Sequence, residues 1–185
     1  MSREGRTYAI VGSSRCGKTT LCIESIIKWK NANNGLVFGH DLKDNYDNKL
    51  LNYKITDNNN IVLLSKLSNI LVILDEFRSL YGSDRVNDVY RTFFSVNREY
   101  CIDVILVFHS LDFVNNFLFS YVTDWIIFES EFNPNRNKSK SIDYKLIKSI
   151  NEINEEVLNN GKGEFPNFKY IHYAADKGII NKVNY

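Results

Sequence analysis

The sequence is short of everything that would mark a secreted, metal-stapled or membrane-spanning chain. It has three cysteines, Cys16, Cys22 and Cys101, and they form neither a CxxC pair nor a metal-ligand spacing. An odd number without a framework excludes a disulfide scaffold and fits a reducing cytoplasm. No apolar run approaches the roughly 20 residues that cross a bilayer. The longest, Ile70 to Leu74, has the length of a buried strand. The opening Met1-Ser2-Arg3-Glu4-Gly5-Arg6 is charged, unlike a secretory signal. Neither sign of charge prevails. A formal net charge of +1 argues neither for nor against nucleic acid, since a total hides any local basic surface. No repeat, linker or second domain is visible. A single domain over 1–185 is therefore expected, with a core at about 7–130 and a helix and strand at about 141–175.

What is present is globular: 44% hydrophobic and 24% charged residues, enough apolar side chains for a substantial core. Asparagine runs such as Asn58-Asn59-Asn60 read as loops. Short apolar runs alternate with helical patterns, which predicts an α/β fold with a largely parallel sheet flanked by helices. Strands are expected at Thr7 to Val11, Leu36 to Phe38, Ile61 to Leu64, Ile70 to Leu74, Val104 to Phe108, Trp125 to Phe128 and Tyr170 to Ala174. Helices are expected at Lys18 to Lys30, Asp84 to Tyr100 and Ile142 to Leu158. In the first, Cys22 with Ile26 and Ile23 with Ile27 lie four apart and share one face. The polar stretch from Lys43 to Asn60 reads as a surface insertion.

Gly12-Ser13-Ser14-Arg15-Cys16-Gly17-Lys18-Thr19 matches the phosphate-binding pattern G-x-x-x-x-G-K-[ST], between an apolar strand and a helix. Glycines let the backbone curl so that successive N–H groups point inward. The helix beginning there adds its unsatisfied N–H groups and positive dipole end. Lys18 is expected on the β- and γ-phosphates, the Thr19 hydroxyl on Mg²⁺, and Thr20 near the α-phosphate. Cys16 reads as small filler within the loop.

Ile70-Leu71-Val72-Ile73-Leu74-Asp75-Glu76 is an apolar strand ending in two carboxylates, the form of a Walker B segment. Such a strand delivers its last residues to the carboxyl edge of the sheet, where α/β proteins bind ligands. Asp75 is expected to hold Mg²⁺ and Glu76 to orient and deprotonate the attacking water. A third strand, Asp103 to Ser110, ends in His109, either a sensor of the γ-phosphate or a structural histidine. Arg98 precedes that strand. It is either a catalytic arginine offering its planar donor fork to the transition state or an ion-paired helix-end residue beside Glu99. Arg78, Arg85 and Arg91 compete for the catalytic role.

The stretch from Asn97 to His109 resembles the segment of HerA/FtsK-superfamily ATPases in which an Arg, a small turn and an apolar strand lead to a polar sensor. Asp112 to Ser120 and Val122 to Phe128 fit the short helix and strand that follow in that family. His109 stands where the family usually has Gln. The superfamily includes DNA translocases, the packaging ATPases of membrane-containing viruses and the Zot-like assembly ATPases of filamentous phages. A chain of this size looks most like a viral packaging ATPase. The resemblance implies a RecA/FtsK-like fold, ATP with Mg²⁺, and viral genomic DNA as substrate. It implies a homo-oligomeric ring, pentamer or hexamer, in the host cytoplasm, docked on a capsid vertex or membrane protein. It also implies that Arg98 serves a neighbouring subunit's nucleotide. Lys43 to Asn60 and Arg136 to Lys140 are candidate DNA contacts, and solvated loops otherwise. A small-molecule kinase is the alternative. Glu76 beside Asp75 and the lack of an Arg-rich lid weigh against it. Neither an N-K-x-D guanine signature nor an L-S-G-G-Q segment occurs.

Overall fold

The structure, a computed structural model, describes residues 3–40, 46–47, 49–81, 88–130, 144–161 and 169–184. Eight strands form one mixed, mostly parallel sheet: β1 (Thr7–Val11), β2 (Leu36–His40), β3 (Tyr53–Lys54), β4 (Ile70–Leu74), β5 (Ile102–Phe108), β6 (Asp124–Ile127), β7 (Lys169–Ala174) and β8 (Ile179–Asn184). Their order is β3-β2-β4-β5-β1-β6-β7-β8. The helices are α1 (Lys18–Asn33), α2 (Asn58–Leu64), α3 (Arg78–Tyr81), α4 (Asp88–Val96) and α5 (Tyr144–Asn160). The chain divides into two compact units, Met1–Tyr8 with Thr19–Val107, and Ala9–Lys18 with Phe108–Tyr185.

In the first unit β2, β4 and β5 run parallel, with Leu36 opposite Ile70 and Ile70 opposite Ile102. All five residues of β4 are buried, as expected of a central strand covered on both faces. α4 buries Tyr90, Phe93 and Phe94, whose spacing makes one helical face. Phe77 meets Tyr90 and Phe94 edge-on at centroid distances of 5.0 and 6.0 Å. These pairs add about 1 kcal/mol each to what ring burial supplies. Burial also pushes the Tyr90 hydroxyl far above its usual range. On α1, Cys22 and Ile26 are buried, but Ile27 is 44% exposed. The 100° step per residue turns it off the face that Cys22 and Ile26 share.

Three expectations fail in this unit for local reasons. Asn58 to Asn60, read as loop, begin α2. Ile61 to Leu64 is the end of α2, not a strand. Asp57 Oδ1 accepts from Asn60 N–H and Asn60 Oδ1 accepts from Asp57 N–H, the reciprocal pairing of a capping box. The helix then buries Ile61 and Leu64, three apart, where a strand would pair Ile61 with Leu63. The supposed insertion is also more than a polar loop, although 41–45 and 48 lie outside the described residues. Tyr46, Leu51 and Ile55 are buried, β3 pairs in parallel with β2, and Asn52 exchanges two hydrogen bonds with the Val37 backbone.

In the second unit β7 is antiparallel to both β6 and β8. α5 packs Leu146, Ile150, Ile153 and Val157 inward, the row expected from the sequence apart from Ile142, which lies outside the described residues. The expected short helix at Asp112 to Ser120 is two 3₁₀ turns, Leu111–Phe113 and Asn116–Ser120.

Candidate functional site

The phosphate loop lies in the second unit and curls as its glycines suggest. Gly17 has φ of 97° and Arg15 a φ of 62°, so successive peptides reverse direction within a few residues. At Gly12 a side chain has no room. A Cβ would lie 2.7 Å from Cys16 Sγ and 2.7 Å from Phe128 Cβ. The loop is pinned from outside its own motif. Ser13 N–H donates to the Glu129 carbonyl at 2.8 Å, and Ser13 Oγ donates to the Glu129 carboxylate at 2.8 Å. The next residue, Ser130, exchanges two backbone hydrogen bonds with the Asn154 side chain of α5.

Lys18 is not a surface charge. It is 8% exposed, and its Nζ donates to the carbonyls of Gly12 at 2.8 Å and Ser13 at 2.6 Å. Both acceptors are neutral oxygens, the geometry in which a buried ammonium can exchange carbonyls for phosphate oxygens. Cys16 is 3% exposed, packed within the loop. Ser13 and Ser14 lie in the loop, and Thr19 and Thr20 open α1, all four partly or fully accessible.

In the first unit, β2, β4 and β5 end on one sheet edge because all three are parallel. Asp75 follows β4 there and is buried, with its Oδ1 accepting from Glu76 N–H at 2.9 Å. Glu76 is half-buried at φ of 49°. A non-glycine residue in the left-handed region carries strain of about 1–3 kcal/mol, a feature enriched at working sites. A residue missed from the sequence stands beside this pair. His40, buried at the end of β2, places Nδ1 3.1 Å from the Asp75 carbonyl, while its own carbonyl accepts from Asp75 N–H at 3.1 Å. Both sides of the Asp75 peptide are thereby fixed. Only the ending Gly39-His40 hinted at this. The donors Thr19 and Asp75 are a hydroxyl and a carboxylate, hard oxygens of the kind Mg²⁺ takes. No cluster of three His, Cys, Asp or Glu suited to a metal occurs among the described residues.

His109 follows β5 in the second unit and is exposed. Arg98 lies elsewhere. α4 stops at Val96, and Arg98 sits in the turn leading into β5, at the strand's amino end. Asp75 is at the opposite end of the five-residue strand paired with it, about 15 Å of backbone away. The Arg98 side chain is exposed, and no hydrogen bond or ion pair engages it among the described residues, Glu99 included. Arg78 and Arg91 are both engaged. Arg85 and the segment Arg136 to Lys140 lie outside the described residues.

No family model and no curated protein matches the sequence. Solved structures do match. The genome packaging NTPase B204 of Sulfolobus turreted icosahedral virus 2, in complex with sulfate, superposes at a TM-score of 0.72 with 13% identity, over 98% of this chain and 96% of that one. The same NTPase in complex with ATP-gammaS gives 0.66 at 14% identity, over 96% of each chain. The N-terminal domain of zonular occludens toxin from Neisseria meningitidis gives 0.53 at 11% identity, over 98% and 94%. Over nearly its whole length, then, this chain has the fold of the viral genome packaging NTPase B204.

Proposed function

We propose that the chain is a Mg²⁺-dependent ATPase that translocates nucleic acid, and that it packages a viral genome into a preformed capsid. The carrying observation is the near-complete mutual coverage with the packaging NTPase, joined to a complete phosphate loop in this sequence. Partial matches are common among P-loop proteins, because strand, loop and helix recur; a match that covers nearly all of both chains is more restrictive.

In this reading the whole chain is one motor domain. Gly12 to Thr20 hold the triphosphate, with Lys18 turning from its two carbonyls to the β- and γ-oxygens. Thr19 and Asp75 hold Mg²⁺, which when bound neutralises charge developing on the phosphates. His40 keeps the Asp75 peptide in place. Glu76 orients the attacking water and takes its proton. His109 reports the γ-phosphate, and Arg98 acts on a neighbour's nucleotide. The subunits form a ring, pentamer or hexamer, around viral DNA in the host cytoplasm, docked on a capsid vertex or a membrane protein.

ATP hydrolysis with and without duplex DNA, and with a panel of nucleoside acceptors, tests the reading. DNA should stimulate turnover. Glu76→Gln should still bind Mg²⁺-ATP yet hydrolyse it about 100-fold more slowly, the scale of losing a general base. Turnover that requires a nucleoside acceptor and ignores DNA makes the protein a kinase instead.

A further inference from the structure

The turn that carries Arg98 is held by a segment far from it in sequence. Asn97 anchors one end: it is buried, and its side chain donates to Thr7 Oγ1 at 2.8 Å and to the Ile102 carbonyl. Across the turn, Ile102 N–H donates to the Asn97 carbonyl at 2.8 Å and Cys101 takes φ of 56°. The segment Arg3 to Arg6 lies along this turn. Gly5 N–H donates to the Arg98 carbonyl at 3.1 Å, and Cys101 Sγ–H donates to the Arg3 carbonyl.

Asp103 fixes the segment in turn. Its buried carboxylate accepts from Arg6 N–H at 2.8 Å, from the Trp29 indole and from the Arg3 guanidinium. Arg3 also donates to the Asn69 side chain at 3.0 Å and lies 5.8 Å from the centroid of the Trp29 ring. Gly5 sets the fit. A Cβ there would come within 2.3 Å of the Asn97 carbonyl oxygen and 2.4 Å of the Ile102 carbonyl oxygen. Both are backbone atoms at the two ends of the turn, so a side chain at position 5 must move the turn itself.

We propose that Arg3 to Arg6, set by Gly5 and tied down by Asp103, is a positioning brace that aims Arg98 at the nucleotide of a second copy of this chain. The inference rests on the trans role given to Arg98 above. The brace meets the turn at the Arg98 carbonyl and the Cys101 thiol and leaves the guanidinium exposed, as a group reserved for a partner requires. Because it acts through Arg98, it governs the rate of hydrolysis in the assembly and not the affinity of each subunit for ATP.

The test compares Gly5→Ala, Arg3→Ala and Arg98→Ala, each in the full chain, for ATP affinity, turnover and activity on mixing with Lys18→Ala subunits. Gly5→Ala should bind ATP as the wild type does and lose about 10²-fold in turnover, the scale of a misplaced catalytic group. On mixing with Lys18→Ala subunits its activity should partly return, because its nucleotide site then receives a correctly held Arg98. A merely damaged subunit would not be rescued. Arg3→Ala, at an exposed position, should show the same pattern with a smaller loss, and it decides the matter if Gly5→Ala fails to fold. Wild-type turnover by both variants overturns the brace, as does loss of ATP affinity in step with turnover. Wild-type turnover by Arg98→Ala overturns the reading of Arg98 itself, a result distinct from either.

Discussion

At the scale of single residues, burial decides more than motif. Lys18 holds two loop carbonyls together, so Lys18→Ala removes a donor from Gly12 and Ser13 as well as the proposed phosphate ligand. It should abolish ATP binding and also cost the empty protein about 1–3 kcal/mol, the penalty for leaving buried acceptors unmet. Thermal unfolding without nucleotide checks this: an unchanged midpoint would mean that the lysine swings free in solution. The same logic orders the reactivity of the thiols. A small thiol reagent should modify half-buried Cys101 before buried Cys16 in the empty protein, as peptide mapping would reveal; Cys16 reacting first would contradict the packed loop. The residues readable from sequence were those whose meaning is local. Gly12 to Thr20 and Asp75-Glu76 are contiguous patterns, though their roles stand as proposals. His40 and Glu129 were not readable. Their partners, Asp75 and Ser13, lie 35 and 116 residues away, and nothing in the neighbouring sequence names them.

At the scale of elements, apolar period was a good guide where burial was one-sided or complete. β1 and β4 lie where their apolar runs end, and α5 buries the row expected of it. The pattern failed at α2, where four apolar residues in succession fit either period and a side-chain cap made the choice. It also missed β8, a strand with a lysine and two asparagines whose only signal is the turn at Gly178, φ 62°. β8 is an edge strand paired with β7, and its charge has a use. Lys182 donates to Glu152 on α5, and Lys169 of β7 donates to Glu156. Each lysine holds its partner carboxyl below the usual glutamate range, first by hydrogen bond and then by charge. A lowered folded-state pKa adds stability above the unfolded value, and that stability is lost as pH falls through the lowered one. Wild type should therefore lose more of its melting temperature than Glu152→Gln/Glu156→Gln between about pH 6 and about pH 3. The gap should shrink in high salt, because Lys182–Glu152 is exposed and Lys169–Glu156 is partly so. Identical acid profiles would show that the pairs add nothing.

At the scale of the whole molecule, the sheet's polarity separates the two ends of the proposed chemistry. Asp75 and Glu76 follow the carboxyl end of β4, whereas Arg98 precedes the amino end of β5, its parallel neighbour. Some 15 Å of strand lies between, more than an arginine side chain covers. Arg98 therefore does not reach the Asp75 end of its own subunit by a change of rotamer. The exposure of its guanidinium, which has no partner among the described residues, suits a group completed by another chain. If so, hydrolysis depends on assembly, and each subunit senses its neighbour. Arg98→Ala should keep ATP affinity and lose on the order of 10³-fold in turnover, as arginine fingers do. Lys18→Ala should be inactive for the opposite reason, having an intact Arg98 and no usable nucleotide site. Mixing the two inactive proteins in ATP should restore part of the activity, since some interfaces then pair a sound site with a sound arginine. The recovery should rise with protein concentration and vanish on dilution below assembly, followed by mass measurement in the same buffer. If mixed assemblies form and recover nothing, Arg98 serves the fold and not the neighbour. The exposed guanidinium would then have to be explained by contact with DNA, which a reduced salt dependence of DNA binding in Arg98→Ala would expose.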